Sequence, residues 1–223
     1  MIDRRYLPLI GLRVLDLFCC QGGASLGYAL AGLEPVGVDR APQPHYPFTF
    51  HQGDALEYAA TYGRGFDLIH ASPPCQMYTR AQKIRGRRHP DLVGRTREVL
   101  AGLGVPYVIE NVAGAPLRDS TVLCGAMFGL RTYRHRLFET SFPVAAPRHP
   151  VHVRPTSKMG RAPVPGHNMH IVGNFVGVED GRWAMGMHWT TREGLREAIP
   201  PAYARHMGAA FLLWRAERDG GPG

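Results

Sequence analysis

The sequence has almost no lysine: Lys83 and Lys158 are the only two, and arginine supplies the other basic residues. Basic residues outnumber acidic ones, and the formal net charge of +8 favours a polyanionic partner such as nucleic acid. The planar guanidinium suits phosphates and base edges, although a GC-rich genome also raises the arginine content without any functional cause. The positions of the arginines are therefore more informative than their number.

Long apolar runs are also missing. No stretch approaches the roughly 18 uninterrupted apolar residues that suggest a membrane span. The N-terminal "MIDRRYLPLIGLRV" places charges beside its apolar patches, which is unlike a signal peptide. We therefore expect a soluble, cytoplasmic protein that does not bind membranes. Its 223 residues, 44% of them hydrophobic and without internal repeats, suffice for one main domain.

Cysteine is scarce, and the four residues are Cys19, Cys20, Cys75 and Cys124. Cysteines that are adjacent in sequence, such as Cys19 and Cys20, do not easily form a disulfide with each other. No C-x-x-C or H-x-x-x-H spacing indicates a zinc site. The eleven histidines are scattered, as surface and loop residues usually are. We therefore expect free thiols in a reducing compartment and no metal site.

Short apolar stretches alternate with helical patterns in the first half of the chain. Four stretches have the composition of strands: "RVLDLF" (13–18), "PVGVD" (35–39), "FDLIHAS" (66–72) and "VPYVIENVAG" (105–114). Two have helical spacing with a glycine near the end: "ASLGYALAGLE" (24–34) and "DLVGRTREVLAGLG" (91–104). This alternation predicts an α/β fold with a mostly parallel sheet and helices on both faces. Ligands of such sheets bind at the carboxyl ends of the strands.

The composition changes after residue 142. Residues 143–181 are rich in proline, arginine and histidine without periodicity, which predicts an irregular insert. The stretch that follows predicts two helices, the second of them started by Pro200 and Pro201. We therefore divide the chain into a main domain, the insert, C-terminal helices that complete the main domain, and a disordered tail: 1–142, 143–181, 182–217 and 218–223.

Two stretches have the residue types of a reactive site. In "ASPPCQMYTR" (71–80), two prolines fix the backbone before Cys75. A thiol at a strand end becomes a nucleophile when nearby cations stabilise its thiolate, although a lone cysteine is often an inert buried thiol. In "DLFCCQGG" (16–23), a strand opens into a glycine turn that lets a ligand approach backbone N–H groups, or simply forms a tight turn.

Six motifs in order resemble those of the cytosine-C5 DNA methyltransferases: "DLFCCQGG", "GVD", "GDAL", "SPPCQ", "ENV" and "YRHRLF". The resemblance covers about residues 13–140 and, more loosely, 185–212. It implies a Rossmann-like methyltransferase fold in which residues 1–142 bind S-adenosylmethionine and catalyse methyl transfer to C5 of a flipped-out cytosine.

The resemblance also implies residue roles. It implies that Cys75 attacks C6 of the cytosine, and that Glu110 holds N3 and the 4-amino group. It implies that Arg134 and Arg136 contact the base and favour the thiolate. For the cofactor it implies that Phe18 stacks on the adenine, that Asp39 holds the ribose and that Asp54 approaches the adenine amine. The implied cofactor-binding residues together are Phe18, Cys20, Gly22, Gly23, Asp39, Asp54 and Pro74.

This sequence departs from the family's pattern in the turn and in the insert. Cys20 replaces the usual first glycine, and a left-handed backbone there would cost a cysteine about 1 kcal/mol. The insert is far shorter than the family's recognition region, so we expect a recognition sequence of about two to four base pairs, or a partner for recognition. Such compact forms resemble those of bacteriophages, whose dense methylation resists restriction or precedes further base modification. This implies a bacterial or phage-infected host cell.

Double-stranded DNA is the implied partner of a monomer. The loop after Cys75 resembles the family's mobile loop, and its implied DNA-binding residues are Gln76, Arg80, Lys83, Arg85, Arg87 and Arg88. The candidates in the insert are Arg148, His152, Arg154, Lys158, Arg161 and His167. Two alternatives stay open: the same chemistry on RNA or a free cytidine nucleotide, and a catalytically silent DNA-binding module. The donor is S-adenosylmethionine or a modified relative of it.

Overall fold

The computed structural model describes residues 11–78 and 91–219. Its seven strands are β1 (Arg13–Leu17), β2 (Glu34–Asp39), β3 (Thr49–Gln52), β4 (Leu68–Ala71), β5 (Tyr107–Asn111), β6 (Thr121–Leu123) and β7 (Arg136–Thr140). They form one sheet in the order β3-β2-β1-β4-β5-β7-β6. Strands β1 to β5 run parallel, whereas β7 runs antiparallel to both of its neighbours. The prediction of a mostly parallel sheet is confirmed.

Helices cover both faces of this sheet, as predicted. The α-helices of the described residues are α1 (Gly23–Ala31), α2 (Ala55–Tyr62), α3 (Val93–Leu103), α4 (Val178–Met185), α5 (Arg192–Glu197) and α6 (Pro201–Asp219). On one face, Val14 packs with Tyr28 of α1 and Tyr203 of α6. On the other face, Leu15 packs with side chains of α2 and α3 such as Leu100. Because β1 is covered on both faces, its sequence is a nearly continuous apolar run.

Several elements begin or end where the sequence predicts. Helix α1 ends at Gly32, whose φ of +100° is left-handed, and α3 ends in the same way at Gly104. The two C-terminal helices, α5 and α6, are also present as predicted. The predicted basic loop at residues 81–90 lies outside the described residues.

Other elements differ from the prediction. The sequence pattern does not predict strand β3 or helix α2. A four-residue, mostly exposed edge strand has too little apolar periodicity to be recognised, and α2 is a helix of only eight residues. The disordered tail was predicted from residue 218, but α6 continues through Asp219.

Helix α4 corrects the picture of the insert. It begins at Val178, inside residues 143–181, and runs past the end of that range. Met169, Ile171 and Phe175 of the insert pack with Met185 of α4 in a third, smaller apolar cluster. The last part of the insert therefore folds against the C-terminal region. The sequence pattern does not predict this, because a single helix of eight residues is too short to show a clear period. Among the described residues, no helix combines the length and the apolar composition needed to cross a bilayer.

Candidate active site

One edge of the sheet collects most of the residues that the sequence singles out. The parallel strands β1, β2, β4 and β5 end at this edge, and β7 begins there because it runs in the opposite direction. The side chains at or just beyond these strand ends include Phe18, Asp39, Cys75, Glu110 and Arg136. Strand direction alone therefore brings an arginine from the start of one strand to an acid near the end of another.

Glu110 and Arg136 form a buried ion pair. Nε of Arg136 lies 3.0 Å from Oε1 of Glu110, and the two side chains are only 14% and 7% exposed. Burial raises the pKa of the Glu110 carboxyl above its ordinary value, while the charge of Arg136 and a hydrogen bond from Ser72 lower it in part. The net result is an acid that holds its proton more readily than an exposed glutamate does.

Cys75 lies within the electrostatic reach of this pair. Burial raises the pKa of its thiol, the charge of Arg136 lowers it and the charge of Glu110 raises it. Nδ2 of Asn111 donates to the carbonyl of Pro73 at 2.9 Å, which ties the backbone before the thiol to the end of β5. The rigid placement expected from the two prolines therefore has a cross-strand hydrogen bond as well.

A chain of buried polar groups supports Glu110 from below. The hydroxyl of Tyr28 lies 2.9 Å from Nδ1 of His70, and Nε2 of His70 lies 2.9 Å from the hydroxyl of Ser72. Ser72 in turn lies close enough to the Glu110 carboxyl to lower its pKa in part. Complete burial lowers the pKa of His70 to about 3, so the imidazole is neutral and orients its neighbours through hydrogen bonds alone. Sequence reasoning missed this chain; only Ser72, beside the "PPC" motif, carried a signal.

Arg134 has a different environment from Arg136. Its guanidinium donates to three backbone carbonyls, those of Ala198 at 2.9 Å, Ile171 at 2.8 Å and Arg196 at 2.6 Å. Burial and the neighbouring charge of Arg136 lower its pKa, but a guanidinium stays charged at neutral pH. The predicted contact of Arg134 with a base stays a prediction, and this geometry favours a role in positioning.

The turn after β1 has the tight geometry that the motif indicates. The φ angles of Phe18 and Cys20 are +59° and +49°, so the cysteine does take a left-handed backbone conformation, which glycine adopts at lower cost. Gly22 is also left-handed, and a Cβ on Gly23 would lie 2.4 Å from the carbonyl oxygen of Ile199. The two glycines therefore serve the turn and its packing, whichever ligand it holds.

Residues far away in the sequence hold this turn in place. Oε1 of Gln21 accepts from the backbone N–H of Thr191 at 2.9 Å, and the indole of Trp189 donates to the carbonyl of Gln21 at 2.9 Å. Sγ of Cys20 lies 2.9 Å from Oε2 of Glu197. Sequence reasoning missed these supports, because no local pattern links residues so distant in the chain.

The two acids predicted to hold a cofactor have structural partners. Both carboxylate oxygens of Asp39 accept backbone N–H groups, from Cys20 at 3.0 Å and Ala41 at 3.0 Å. Asp54 caps α2 and pairs with Arg40 at 2.8 Å, and the N–H bonds of the helix start keep the pKa of its carboxyl low. Their contacts with a ribose and an adenine stay predictions, as does the role of the exposed Pro74.

The predicted DNA-binding residues fall into two groups. Gln76, in the loop after Cys75, begins a short 3₁₀ turn. The other candidates of this loop lie outside the described residues: Arg80, Lys83, Arg85, Arg87 and Arg88. Those of the insert lie at the surface: Arg148, His152, Arg154, Lys158 and Arg161, with His167 partly buried. A cavity of about 450 Å³ separates the insert from the segment that holds Arg134 and Arg136.

All four cysteines are free thiols, as predicted. No protein-family model matches the sequence, and no curated protein matches it either. Solved structures do match. An E. coli protein described as a DNA modification methyltransferase encoded within a prophage matches with a TM-score of 0.67 and 13% identity, over 93% of this chain and 100% of its own.

The S. pombe Dnmt2 methyltransferase matches over 95% of this chain and 99% of its own, with a TM-score of 0.56 and 14% identity. At these identities the likeness concerns the fold. The chain therefore has the Rossmann-like fold of these methyltransferases, with the seven-stranded, mostly parallel sheet between two layers of helices.

Proposed function

We propose that this protein is a DNA (cytosine-5-)-methyltransferase that uses S-adenosylmethionine as the methyl donor. The observation that supports this most directly is the grouping of Cys75 with the buried Glu110–Arg136 pair at one strand edge, beside the turn after β1. A thiol, a proton-holding acid and a guanidinium are the groups needed to add a nucleophile to a pyrimidine.

The residues around the turn fit the donor. The N–H groups at the start of α1, the partly buried ring of Phe18 and the carboxylate of Asp39 line the strand end at which nucleoside cofactors bind in this architecture. S-adenosylmethionine, when bound there, supplies an electrophilic methyl group. Cys20, Gly22, Gly23, Asp54 and Pro74 complete the proposed site.

The proposed reaction begins on a cytosine flipped out of the duplex, since C6 is inaccessible in the base stack. The Cys75 thiol loses its proton and forms a bond to C6, and the C5–C6 π electrons make C5 nucleophilic. Glu110 donates its proton to N3, which neutralises the ring. C5 then takes the methyl group of S-adenosylmethionine, whose methyl–sulfonium bond breaks and leaves a neutral thioether. N3 returns its proton to Glu110, a base removes the C5 proton, and Cys75 leaves as the thiolate while the C5–C6 double bond reforms.

The electrostatics of the two groups support these roles. Burial raises the pKa of Glu110, so the carboxyl can carry the proton that N3 needs. Burial also raises the pKa of Cys75, so the free protein holds the thiol in its protonated form. In the proposed complex the charge of Arg136 stabilises the thiolate that attacks the base. Arg134 contributes charge from a distance while its hydrogen bonds hold the segment that carries Arg136.

Double-stranded DNA is the proposed substrate. The net charge of +8 and the exposed cations of the insert, Arg154, Lys158 and Arg161, favour a nucleic acid. The described part of the insert is small, which favours a short recognition sequence or a partner protein. The matching prophage protein is described as modifying DNA, which supports the same substrate class here.

Covalent trapping tests this proposal. DNA containing 5-fluorocytosine lacks the C5 proton that elimination removes, so attack by the thiol leaves a stable protein–DNA adduct. We expect wild-type protein with S-adenosylmethionine to form the adduct and to methylate ordinary duplex DNA. We expect Cys75→Ser to do neither, while it binds the donor with unchanged affinity in calorimetry. An adduct formed equally by Cys75→Ser would contradict the assignment of the nucleophile.

Substrate competition separates the alternatives. We expect methyl transfer to duplex DNA that decreases steeply with salt, and little transfer to RNA or to cytidine monophosphate. Equal turnover of the mononucleotide with weak salt dependence would refute DNA as the substrate. Binding of DNA without any transfer or trapping would favour a silent binding module.

A further inference from the structure

Four side chains with metal-binding groups converge outside the proposed reaction: Cys124, His135, His149 and His152. One nitrogen or sulfur atom of each lies within 4.8 Å of those of the other three. Sγ of Cys124 is 3.3 Å from Nε2 of His152, and the Nε2 atoms of His135 and His149 are 3.2 Å apart. The proposed methyl transfer uses none of the four.

The sheet pairing explains half of the cluster. Strands β6 and β7 are antiparallel, and Leu123 lies opposite Arg136, so the next residues outward, Cys124 and His135, also face each other. A backbone hydrogen bond from Gly125 to the carbonyl of Tyr133, at 2.8 Å, joins the two segments just beyond this pair. The antiparallel pairing of β6 and β7 therefore brings a thiol and an imidazole together.

Tyr133 explains the other half. Its ring stacks on His152 with centroids 3.6 Å apart. Its hydroxyl donates to the carbonyl of Arg154 at 2.7 Å and accepts from the same residue's N–H at 3.0 Å. His149 lies three residues earlier on the same segment of the insert, so anchoring this segment brings both histidines to the thiol.

The spacing of the ligand atoms is close to that around a tetrahedral zinc ion. With Zn–N near 2.0–2.1 Å and Zn–S near 2.3 Å, neighbouring ligand atoms lie about 3.4 Å apart for two nitrogens and about 3.6 Å apart for nitrogen and sulfur. The two shortest distances, 3.2 and 3.3 Å, approach these values. Because His149 and His152 lie at the surface, small rotamer changes suffice to bring the remaining pairs of ligand atoms from within 4.8 Å to these distances.

We propose that Cys124, His135, His149 and His152 bind one zinc ion in a structural site. One thiolate and three imidazoles form a borderline-soft donor set that suits Zn²⁺ better than Mg²⁺ or Ca²⁺. Four protein ligands leave no open position for a substrate, which is the pattern of a structural ion. This proposal assigns His152 to the metal and not to DNA.

The ion would join the insert to the sheet. Cys124 directly follows β6 and His135 directly precedes β7, whereas the other two ligands belong to the segment that follows β7. His135 lies between Arg134 and Arg136, so a metal bond to it fixes the backbone that carries both arginines. The site therefore stabilises the wall of the cavity between the insert and this segment.

Metal analysis of the full chain, purified without a metal-affinity tag, tests the site. After gel filtration with a weak chelator, we expect mass spectrometry to find about one equivalent of zinc per chain. In the His149→Ala and His152→Ala variants, the zinc content per chain should each time be at least about tenfold lower than in the wild type. Two controls should keep it: His45→Ala, which removes an exposed histidine elsewhere, and Cys75→Ser, which removes a half-buried thiol outside the cluster.

Cobalt substitution gives a readout on the native sequence. Zinc-depleted wild-type protein loaded with Co²⁺ should show a thiolate-to-cobalt charge-transfer band and the intense visible bands of a tetrahedral ion. Cys124→Ser should lose the charge-transfer band, and His149→Asn should weaken the visible bands while circular dichroism shows an intact fold.

Zinc far below one equivalent in wild-type protein, with no cobalt bands, overturns the proposal, and so does full zinc retention in both histidine variants. These outcomes are independent of the proposed function. A Cys75→Ser protein that is inactive but contains zinc supports the zinc site. A wild-type enzyme that is active without zinc refutes the zinc site and leaves the methyltransferase proposal unaffected.

Discussion

Glu110 is an acid whose surroundings favour its protonated form. Burial raises its pKa against the lowering effect of Arg136, and the proposed reaction needs its proton at N3 of the base. We expect Glu110→Gln to lower single-turnover methyl transfer by about 10²- to 10⁴-fold, the usual contribution of a positioned acid. The affinity for S-adenosylmethionine should stay unchanged, since the proposed donor site lies around the turn after β1.

The control for this variant is Glu98→Gln, which makes the same change on an exposed face of α3 and should leave the rate unchanged. A Glu110→Gln protein that transfers methyl groups at the wild-type rate would show that N3 is protonated by another group.

The buried carboxyl of Asp16 makes the free energy of unfolding depend on pH. Burial raises the pKa of this carboxyl from 3.8 to about 7, although hydrogen bonds from Ser25 lower it in part. The folded protein therefore binds a proton that the unfolded chain releases, and this stabilisation is complete below about pH 4 and is lost as the pH rises to about 7. The shift corresponds to roughly 4 kcal/mol.

In urea titrations of the wild-type protein, we expect Asp16 to contribute a decrease in the free energy of unfolding between pH 4 and pH 7. His70, whose pKa burial lowers to about 3, contributes an increase over part of this range in wild type and variant alike, so the comparison with Asp16→Asn isolates the contribution of Asp16. Asp16→Asn should remove about 4 kcal/mol of that decrease, because an amide does not titrate. Asp180→Asn changes an exposed carboxyl and serves as the control. The same slope in wild type and Asp16→Asn would contradict a raised pKa.

The turn between β1 and α1 holds two non-glycine residues, Phe18 and Cys20, in the left-handed backbone region, and Cys20 permits a direct test of the strain. Cys20 has a φ of +49°, which costs a side chain with a Cβ about 1 kcal/mol relative to glycine. We expect Cys20→Gly to be more stable than Cys20→Ala by about 1 kcal/mol in urea titrations, because both variants lose the contact with Glu197 and only glycine relieves the strain.

An ordinary helical position provides the contrast. Ala60 is exposed in α2, and Ala60→Gly should destabilise the protein by about 1 kcal/mol, the opposite sign to the alanine-to-glycine step at Cys20. If glycine is no better than alanine at position 20, then the left-handed backbone there costs nothing measurable.

At the scale of the whole molecule, the positive charge is expected to direct DNA binding. Arg154, Lys158 and Arg161 are exposed on the insert, and each phosphate contact contributes about 0.9 to the dependence of log affinity on log salt. We expect the triple alanine variant to bind duplex DNA more weakly and to reduce that slope by about 3. Fluorescence anisotropy at several salt concentrations measures both quantities.

Arg64→Ala combined with Arg218→Ala is the control for charge loss elsewhere. Both residues are exposed, and Arg218 lines a different cavity near the start of β4 and β5, away from the proposed site. If this double variant reduces the salt slope as much per charge as the insert variant does, then binding reflects net charge and not the insert.

Local sequence was sufficient to identify the strand ends and their residue types. Apolar runs followed by glycine, proline or polar residues placed Phe18, Asp39, Cys75 and Glu110 at one edge of a parallel sheet, and the structure confirms these strands. Such patterns are local, because burial on two faces and turn chemistry act on neighbouring residues. The same reasoning failed for β3 and α4, which are too short or too exposed to have a recognisable period.

The order of the motifs, and with it the candidate nucleophile and acid, was determined by the sequence alone. Only the tertiary structure decided which groups meet: the ion pair of Glu110 with Arg136, the bonds from Gln21 to a segment 170 residues away, and the convergence of Cys124 with three histidines. These contacts depend on strand direction, register and the path of the insert, because packing between distant segments leaves no period in the sequence that encodes it.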